Sequence, residues 1–131
     1  MTDAIRESVL KRLEEGKFNC PKELTLSMFS GKWKLVILYH LNVDGPYRFN
    51  ELMRFLSPIT HKVLTNQLRE LEEDGLVTRI VYSEKIVKVI YKITPLGQSL
   101  FPIIDSMFSW GKERIKQIDK EHCNTKFKLD C

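Results

Sequence analysis

The stretch ITHKVLTNQLRELEEDGLVTRIVYSEKIVKVIYKITP, residues 59–95, changes its periodicity midway. Leu64, Leu68 and Leu71 recur at i, i+4 and i+7, which aligns them on one face of a helix. Thr60 is a favoured N-cap residue and Gly75 a favoured C-terminal glycine, so the spacing predicts a helix over residues 61–74. Beyond it, residues 77–82 and 88–93 are β-branched and aromatic, which predicts two strands. The five residues 83–87 between them read as a hairpin loop. Thr94-Pro95 then opens another helix, with threonine as N-cap and proline at the first helical position.

Working outward, residues 50–56 predict a short helix with Leu52, Phe55 and Leu56 facing in. Ser57-Pro58-Ile59 is a tight turn between it and helix 61–74, and Tyr47-Arg48-Phe49 is a short extended piece before it. Upstream, residues 32–41 are apolar on nearly every side, as in a central buried helix. Asn42-Val43-Asp44-Gly45-Pro46 closes that helix as a turn cluster. A helix from Pro21 to residue 29 precedes it, ended by Ser30-Gly31. Residues 3–15 carry Ile5, Val9 and Leu13 on one helical face, and Gly16 stops that helix. The last helix, 96–118, holds Pro102 inside, which must kink or split it. Two helices joined by a tight turn and followed at once by a two-stranded ribbon make a winged helix-turn-helix. The expected fold class is therefore α+β, mostly helical, with additional N- and C-terminal helices for dimerisation. Residues 1–118 are expected to form one domain, with the DNA-reading part over about 48–93 and a polar tail over 119–131.

The chain has 131 residues, 43% of them hydrophobic and 29% charged, an ordinary composition for one globular domain. No apolar run is long enough to span a bilayer, and the charged N-terminus lacks the apolar core of a secretory signal. A cytoplasmic location without membrane attachment is expected. Net charge is +4, and residues 48–93 hold eight Lys and Arg against six Asp and Glu, a net +2. Any attraction for nucleic acid must therefore come from where the charges sit. No glycine-rich phosphate loop, GxSxG or framed pair of carboxylates occurs, which argues against an enzyme. No cofactor is expected, and no Cys/His spacing suits a metal.

With its inward leucines set aside, the first half of helix 61–74 offers His61, Lys62, Thr65, Asn66 and Arg69, just after Thr60. These are short polar or cationic groups, the kinds that reach base edges in a major groove. Glu70, Glu72, Glu73 and Asp74 gather at the far end, where the helix would leave the groove. Arg79, Lys85 and Lys88 on the hairpin, with Arg48 before the first short helix, are suited to phosphate contacts. Double-stranded DNA is the expected partner. The competing reading of such a face is a solvated surface, or a winged-helix module that binds protein instead. Excess apolar side chains on the terminal helices point to a homodimer.

The segments CPKELTLSMFSGKWKLVILYHL, GPYRFNELMRFL, ITHKVLTNQLRELEEDGLVTR and KVIYKITPLGQSLFPIID resemble HxlR-type winged helix-turn-helix regulators, over about residues 20–111. That resemblance implies a cytosolic dimeric transcription regulator that reads DNA with helix 61–74 and wing 83–87. The family often has Ser-Gln where this chain has Thr60-His61, wing prolines where it has Ile86-Val87, and an acidic residue where it has Pro95.

The three cysteines, Cys20, Cys123 and Cys131, lie far apart. Cys20 is placed at a helix N-cap beside Lys22, where the helix dipole favours a thiolate. The resemblance adds that some family members sense oxidants or electrophiles with this cysteine. The alternative is a small, partly buried residue with no signalling role. Cys123 or Cys131 would be a resolving thiol or a tail cysteine without function. His40 reads as a satisfied core or interface histidine, His61 as a DNA contact or a solvated residue, and His122 beside Cys123 as a pair of groups that could bind metal. An oxidant or small-molecule inducer is a further candidate partner, the latter in an apolar pocket between the terminal helices lined by Phe101, Phe108 and Trp110, which otherwise read as dimer core.

Overall fold

A computed structural model of the chain describes residues 4–83 and 85–122. The helices are α1 (Glu7–Glu14), α2 (Pro21–Phe29), α3 (Lys34–Val43), α4 (Phe49–Phe55), α5 (His61–Glu73), α6 (Pro95–Ser99) and α7 (Phe101–His122). The strands are β1 (Tyr47–Arg48), β2 (Val77–Ser83) and β3 (Val87–Ile93). They form one antiparallel sheet in the order β1-β3-β2. The short extended piece at Tyr47 thus becomes a third strand, with Tyr47 opposite Tyr91. Ser83 pairs with Val87, so the hairpin connection is residues 84–86, shorter than the five residues expected.

The core lies where α3 meets α5, α6, α7 and β3. Ile37 and Leu38 of α3, Leu52 of α4, Leu64, Leu68 and Leu71 of α5, Leu76 and Ile104 are fully buried. The leucine stripe of α5 is thus its inner face, as its spacing requires. Thr60 caps α5 by accepting a hydrogen bond at Oγ1 from the Val63 backbone N–H, 3.2 Å. Gly75, at φ 75°, ends it: its N–H donates to the Glu72 carbonyl and the Leu76 N–H to the Leu71 carbonyl.

The terminal helix is split, as expected, into α6 and α7, broken just before Pro102, which has no N–H to donate back to α6, while several other elements depart from the sequence expectation. Helix α6 is also held by Gly97, whose Cα packs against the Leu76 carbonyl and the Ile93 side chain and leaves no room for a Cβ. Helix α7 continues to His122, so residues 119–122 are helical rather than tail. Helix α3 begins at Lys34 with Trp33 as N-cap. Phe55 does not face in as expected: it is about half exposed and sets its ring against that of His40, centroids 4.4 Å apart. His40 itself is buried, yet neither ring nitrogen has a hydrogen-bond partner among the described residues; Asp44 Oδ1 stands 3.6 Å from Nδ1. The expectation of a satisfied histidine is corrected: its ring packs as an aromatic plate between Tyr39 and Phe55. Nearby, burial and then Asp44 push the Tyr47 phenol up to about 12. Phe101 and Phe108 pack on the Tyr39 ring, at 6.0 and 5.0 Å, while Trp110 is 73% exposed.

The largest departure is at the N-terminus. Helix α1 starts at Glu7, because Arg6 is held in an extended conformation by distant partners. Its backbone N–H donates to Asp74 Oδ1 (2.9 Å) and its Nε to Asp74 Oδ2 (2.8 Å). Its Nη1 reaches Glu70 Oε2 at 3.0 Å, and its Nη2 donates to the Ser27 carbonyl at 2.6 Å. Lys34, 3% exposed, reaches the same Glu70 oxygen at 3.3 Å. Burial pushes the Asp74 carboxyl up, and Arg6 offsets only part of that rise. One guanidinium therefore fastens the N-terminal segment, the last turn of α2 and the C-terminal half of α5. Removing one partner of such a pair strands a buried charge. Arg6→Ala should lower the unfolding free energy by about 3 kcal/mol. Arg6→Lys should restore part of it, since an ammonium lacks the planar fork. Urea denaturation measures both; a loss within error for Arg6→Ala would mean that α5 is not held by this contact.

Candidate nucleic-acid interface

Helix α4, the turn at Leu56–Ile59 and helix α5 form the helix-turn-helix, and β2 with β3 forms the wing. Every candidate contact on α5 reaches the surface. His61, Lys62, Thr65 and Arg69 are exposed and Asn66 half-exposed. Their order on the helix divides them into two rows: His61 and Thr65 toward the wing, and Lys62, Asn66 and Arg69 along the outer face.

The wing-side row borders a groove of about 590 Å³. Arg48 from β1, His61 and Thr65 from α5, and Arg79 and Lys88 from the wing line it together. Sequence reasoning had named all five, from four separate elements. It had missed Asn50, which lines this groove too and shares a neighbouring hollow with Arg48, Arg54 and His61. Arg54 and Asn50 are exposed polar residues on a helix read for its inward leucines, so their position beside Arg48 was the available signal. Lys62, Asn66, Arg69, Thr60 and Lys85 lie outside the groove lining.

Local contacts pre-set several of these groups. The His61 ring rests on Phe49, centroids 4.9 Å apart, and its Nδ1 lies 3.4 Å from Thr65 Oγ1. Arg69 Nη2 donates to Asn66 Oδ1 at 3.1 Å, with Glu73 3.8 Å from its Nε. The backbone N–H of Arg48 donates to Glu51 Oε1 at 2.9 Å, which fixes the entry into α4. Strand pairing separates the wing cations. Arg79 lies opposite Tyr91, on the sheet face that meets the core, whereas Lys88 lies opposite Tyr82 on the other face. The Lys88 ammonium sits 5.7 Å from the Tyr82 ring centroid.

The acidic end of α5 behaves differently from its sequence reading. Glu70 and Asp74 are turned toward Arg6 and Lys34, and Glu72 and Glu73 remain outside. Glu70 and Asp74 are thus paired with distant parts of the chain, while Glu73 meets Arg69 on its own helix.

Cys20 occupies the N-cap of α2 as expected, as a half-buried free thiol, with no hydrogen bond from its side chain to the helix. The preceding Asn19 is tied to Glu23 of α2 by its backbone N–H, 2.7 Å. Cys123 and Cys131 lie outside the described residues. No group of three or more candidate metal ligands occurs among the described residues.

A helix-turn-helix with a hairpin wing, and polar and cationic groups gathered between the two, defines a winged helix-turn-helix protein. Residues 28–119 match the family of HxlR-like helix-turn-helix proteins, and the chain belongs to it. It is similar to the HTH-type transcriptional regulator YdeP of Bacillus subtilis, 48% identical over 77% of this chain and 78% of that protein. YybR of the same organism is 42% identical over 87% of this chain and 90% of its own. Among solved structures, the redox regulator HypR in its reduced form superposes with a TM-score of 0.72 at 44% identity, covering 77% of this chain and 99% of that one. Diamide-treated YodB from B. subtilis superposes with a TM-score of 0.61 at 37% identity, covering 72% and 93%. The protein is a helix-turn-helix transcription regulator.

The N-cap of α5 orients the first residues of the exposed face. Thr60→Ala should cost about 1 kcal/mol of stability and Thr60→Ser only a few tenths. Thermal unfolding of the three proteins side by side checks this; equal midpoints would mean that the cap is dispensable.

Proposed function

We propose that the chain binds duplex DNA as a homodimer through α5 and the wing, and that oxidation or alkylation of Cys20 releases it. The carrying observation is the division of charge on α5. Its outer face presents Lys62, Asn66 and Arg69, with His61 and Thr65 on the wing side, while Glu70 and Asp74 are withdrawn into ion pairs with Arg6 and Lys34. A phosphate backbone laid along that face meets cations and hydrogen-bonding groups instead of paired repulsion. Arg48, Arg79, Lys85 and Lys88 add phosphate contacts at the flank.

The dimer is supported by large apolar side chains left exposed on three helices. Leu10 and Leu13 of α1, Leu26 of α2 and Ile103, Met107 and Trp110 of α7 are all more than a third exposed. Patches of this kind mark association surfaces. A two-fold pair would present two α5 helices to half-sites about one DNA turn apart, or a multiple of it. No helix among the described residues is long and apolar enough to cross a membrane, and a cytoplasmic location suits a DNA partner.

Arg69 must leave Asn66 to reach a base. Arg69→Ala should cost about 1–3 kcal/mol of binding and relax preference at one base position. Lys62→Ala should weaken all sequences alike and flatten the salt dependence by about one charge. Both are read by fluorescence anisotropy on duplexes selected from a random pool by the wild-type protein. Unchanged binding by both variants would remove α5 as the reader.

For Cys20 the support is its helix-start position and its likeness to HypR and YodB, the first a redox regulator by name and the second solved in diamide-treated form. The thiolate would add to the ring carbon of a quinone, or attack peroxide to give sulfenic acid with hydroxide leaving. An adduct displaces α2, and the Ser27 carbonyl in its last turn is bound to Arg6, which also holds Glu70 and Asp74 of α5. Cys20→Ser should bind DNA as wild type does and keep binding under a mild quinone or peroxide dose that frees the wild-type protein. Equal release of both proteins would place the sensing group elsewhere.

A further inference from the structure

The wing ends in apolar side chains. Ile86, at the tip, is 81% exposed, the most exposed large hydrophobic residue among those described, and the adjoining Val87 is 69% exposed. Val81 continues the patch on the same strand face, opposite Val89. A solvent-facing turn gains nothing from such residues, since Ile86 makes no core contact and polar residues suit a turn better. Their placement gives them a direction. Ile86 and Val87 border the same groove as His61, Thr65 and Arg79, so a duplex seated on α5 meets the tip of the wing.

The surrounding charges select the occupant. Lys85 is exposed beside Ile86, and Lys88 follows Val87 on the opposite sheet face, its ammonium steered along the ribbon by the Tyr82 ring. Arg79 lies further down, on the α5 side. An apolar tip with cations on both sides matches a narrow slot walled by phosphates. The minor groove, about 6 Å wide, is such a slot, and isoleucine is among the side chains that wedge between base steps there.

Resting on the DNA-binding reading above, we infer that Ile86 enters the minor groove beside the α5 site as an apolar wedge, with Lys85 and Lys88 on the flanking phosphates. Affinity then has a component that salt does not screen, and base steps that unstack easily are preferred beneath the wing. Specificity is thereby extended to positions that α5 does not touch.

The test uses the full chain and duplexes selected by wild type from a random pool, with 2-aminopurine at successive steps beside the α5 footprint. Ile86→Ser should weaken binding about tenfold with an unchanged salt slope, the loss expected for one apolar side chain kept out of contact. It should also abolish a 2-aminopurine fluorescence rise that wild type produces. Ile86→Lys decides against a purely ionic wing: a phosphate-only contact would tighten and its salt slope steepen by about one, whereas a wedge replaced by an ammonium weakens at every salt concentration. Because the residue is at an exposed tip, Ile86→Leu serves as the folded control and should bind within about twofold of wild type. Wild-type affinity in Ile86→Ser, or tighter binding by Ile86→Lys, overturns the wedge while leaving DNA recognition by α5 intact. Absence of salt-dependent duplex binding by the wild-type protein overturns both.

Discussion

Arg6 is the point through which the N-terminal segment, α2 and α5 are held together. Its guanidinium and its own backbone N–H satisfy both oxygens of the Asp74 carboxylate, which is 1% exposed, and the same side chain reaches Glu70 and the Ser27 carbonyl. A carboxylate buried that deeply is costly unless charge and hydrogen bonds meet it, which is why its carboxyl is pushed up even with Arg6 in place. Lys34 joins from α3 at Glu70, so the first residue of the central helix is held to the same node. The geometry is demanding, and it sets where the far end of α5 lies relative to α1 and α2. Leu10, Leu13 and Leu26 are thereby connected to the helix proposed to face DNA.

The same node shapes the electrostatics. Over residues 48–93 the net charge is modest, and a uniform distribution of it would attract little. Pairing Glu70 and Asp74 inside the fold leaves Lys62, Asn66 and Arg69 in control of the middle of α5, with Glu72 and Glu73 outside near its end. The wing extends the cationic surface on both of its faces, because Arg79 and Lys88 alternate across the sheet. The proposed DNA recognition thus rests on where charges point, and a packing requirement at one end of a helix decides what the other end offers.

Aromatic packing ties the remaining elements to this frame. Tyr39 of α3 carries Phe101 and Phe108 of α7 on its ring, while His40 meets Phe55 of α4 and Tyr47 of β1 meets Phe55 as well. Helix α4 and the terminal helix are therefore registered against α3, whose apolar residues occupy nearly every side, and strand β1 is tied to it through Phe55. His40 serves there as a flat ring, its nitrogens unengaged by any hydrogen bond among the described residues.

Whatever depended on near neighbours was legible in the amino-acid order. The leucine stripe of α5, its threonine cap and terminal glycine, the two strands of the wing and the break at Pro102 follow from periods of a few residues and from backbone chemistry. So did the polar face of α5 and the set Arg48, His61, Thr65, Arg79 and Lys88, which a helix-turn-helix with a wing brings to one groove. Tertiary structure decided the rest. The residue order puts Glu70 and Asp74 where α5 would leave the groove and Arg6 far away near the N-terminus; only the fold brings them into contact, across 64 and 68 residues of chain. It also buried Lys34, half-exposed Phe55 and drew Asn50 and Arg54 to the edge of the groove. A charged side chain carries no local pattern that says whether it will meet water or a partner. Its burial is set by the desolvation it must recover, and that depends on a group which the folded chain alone brings within reach.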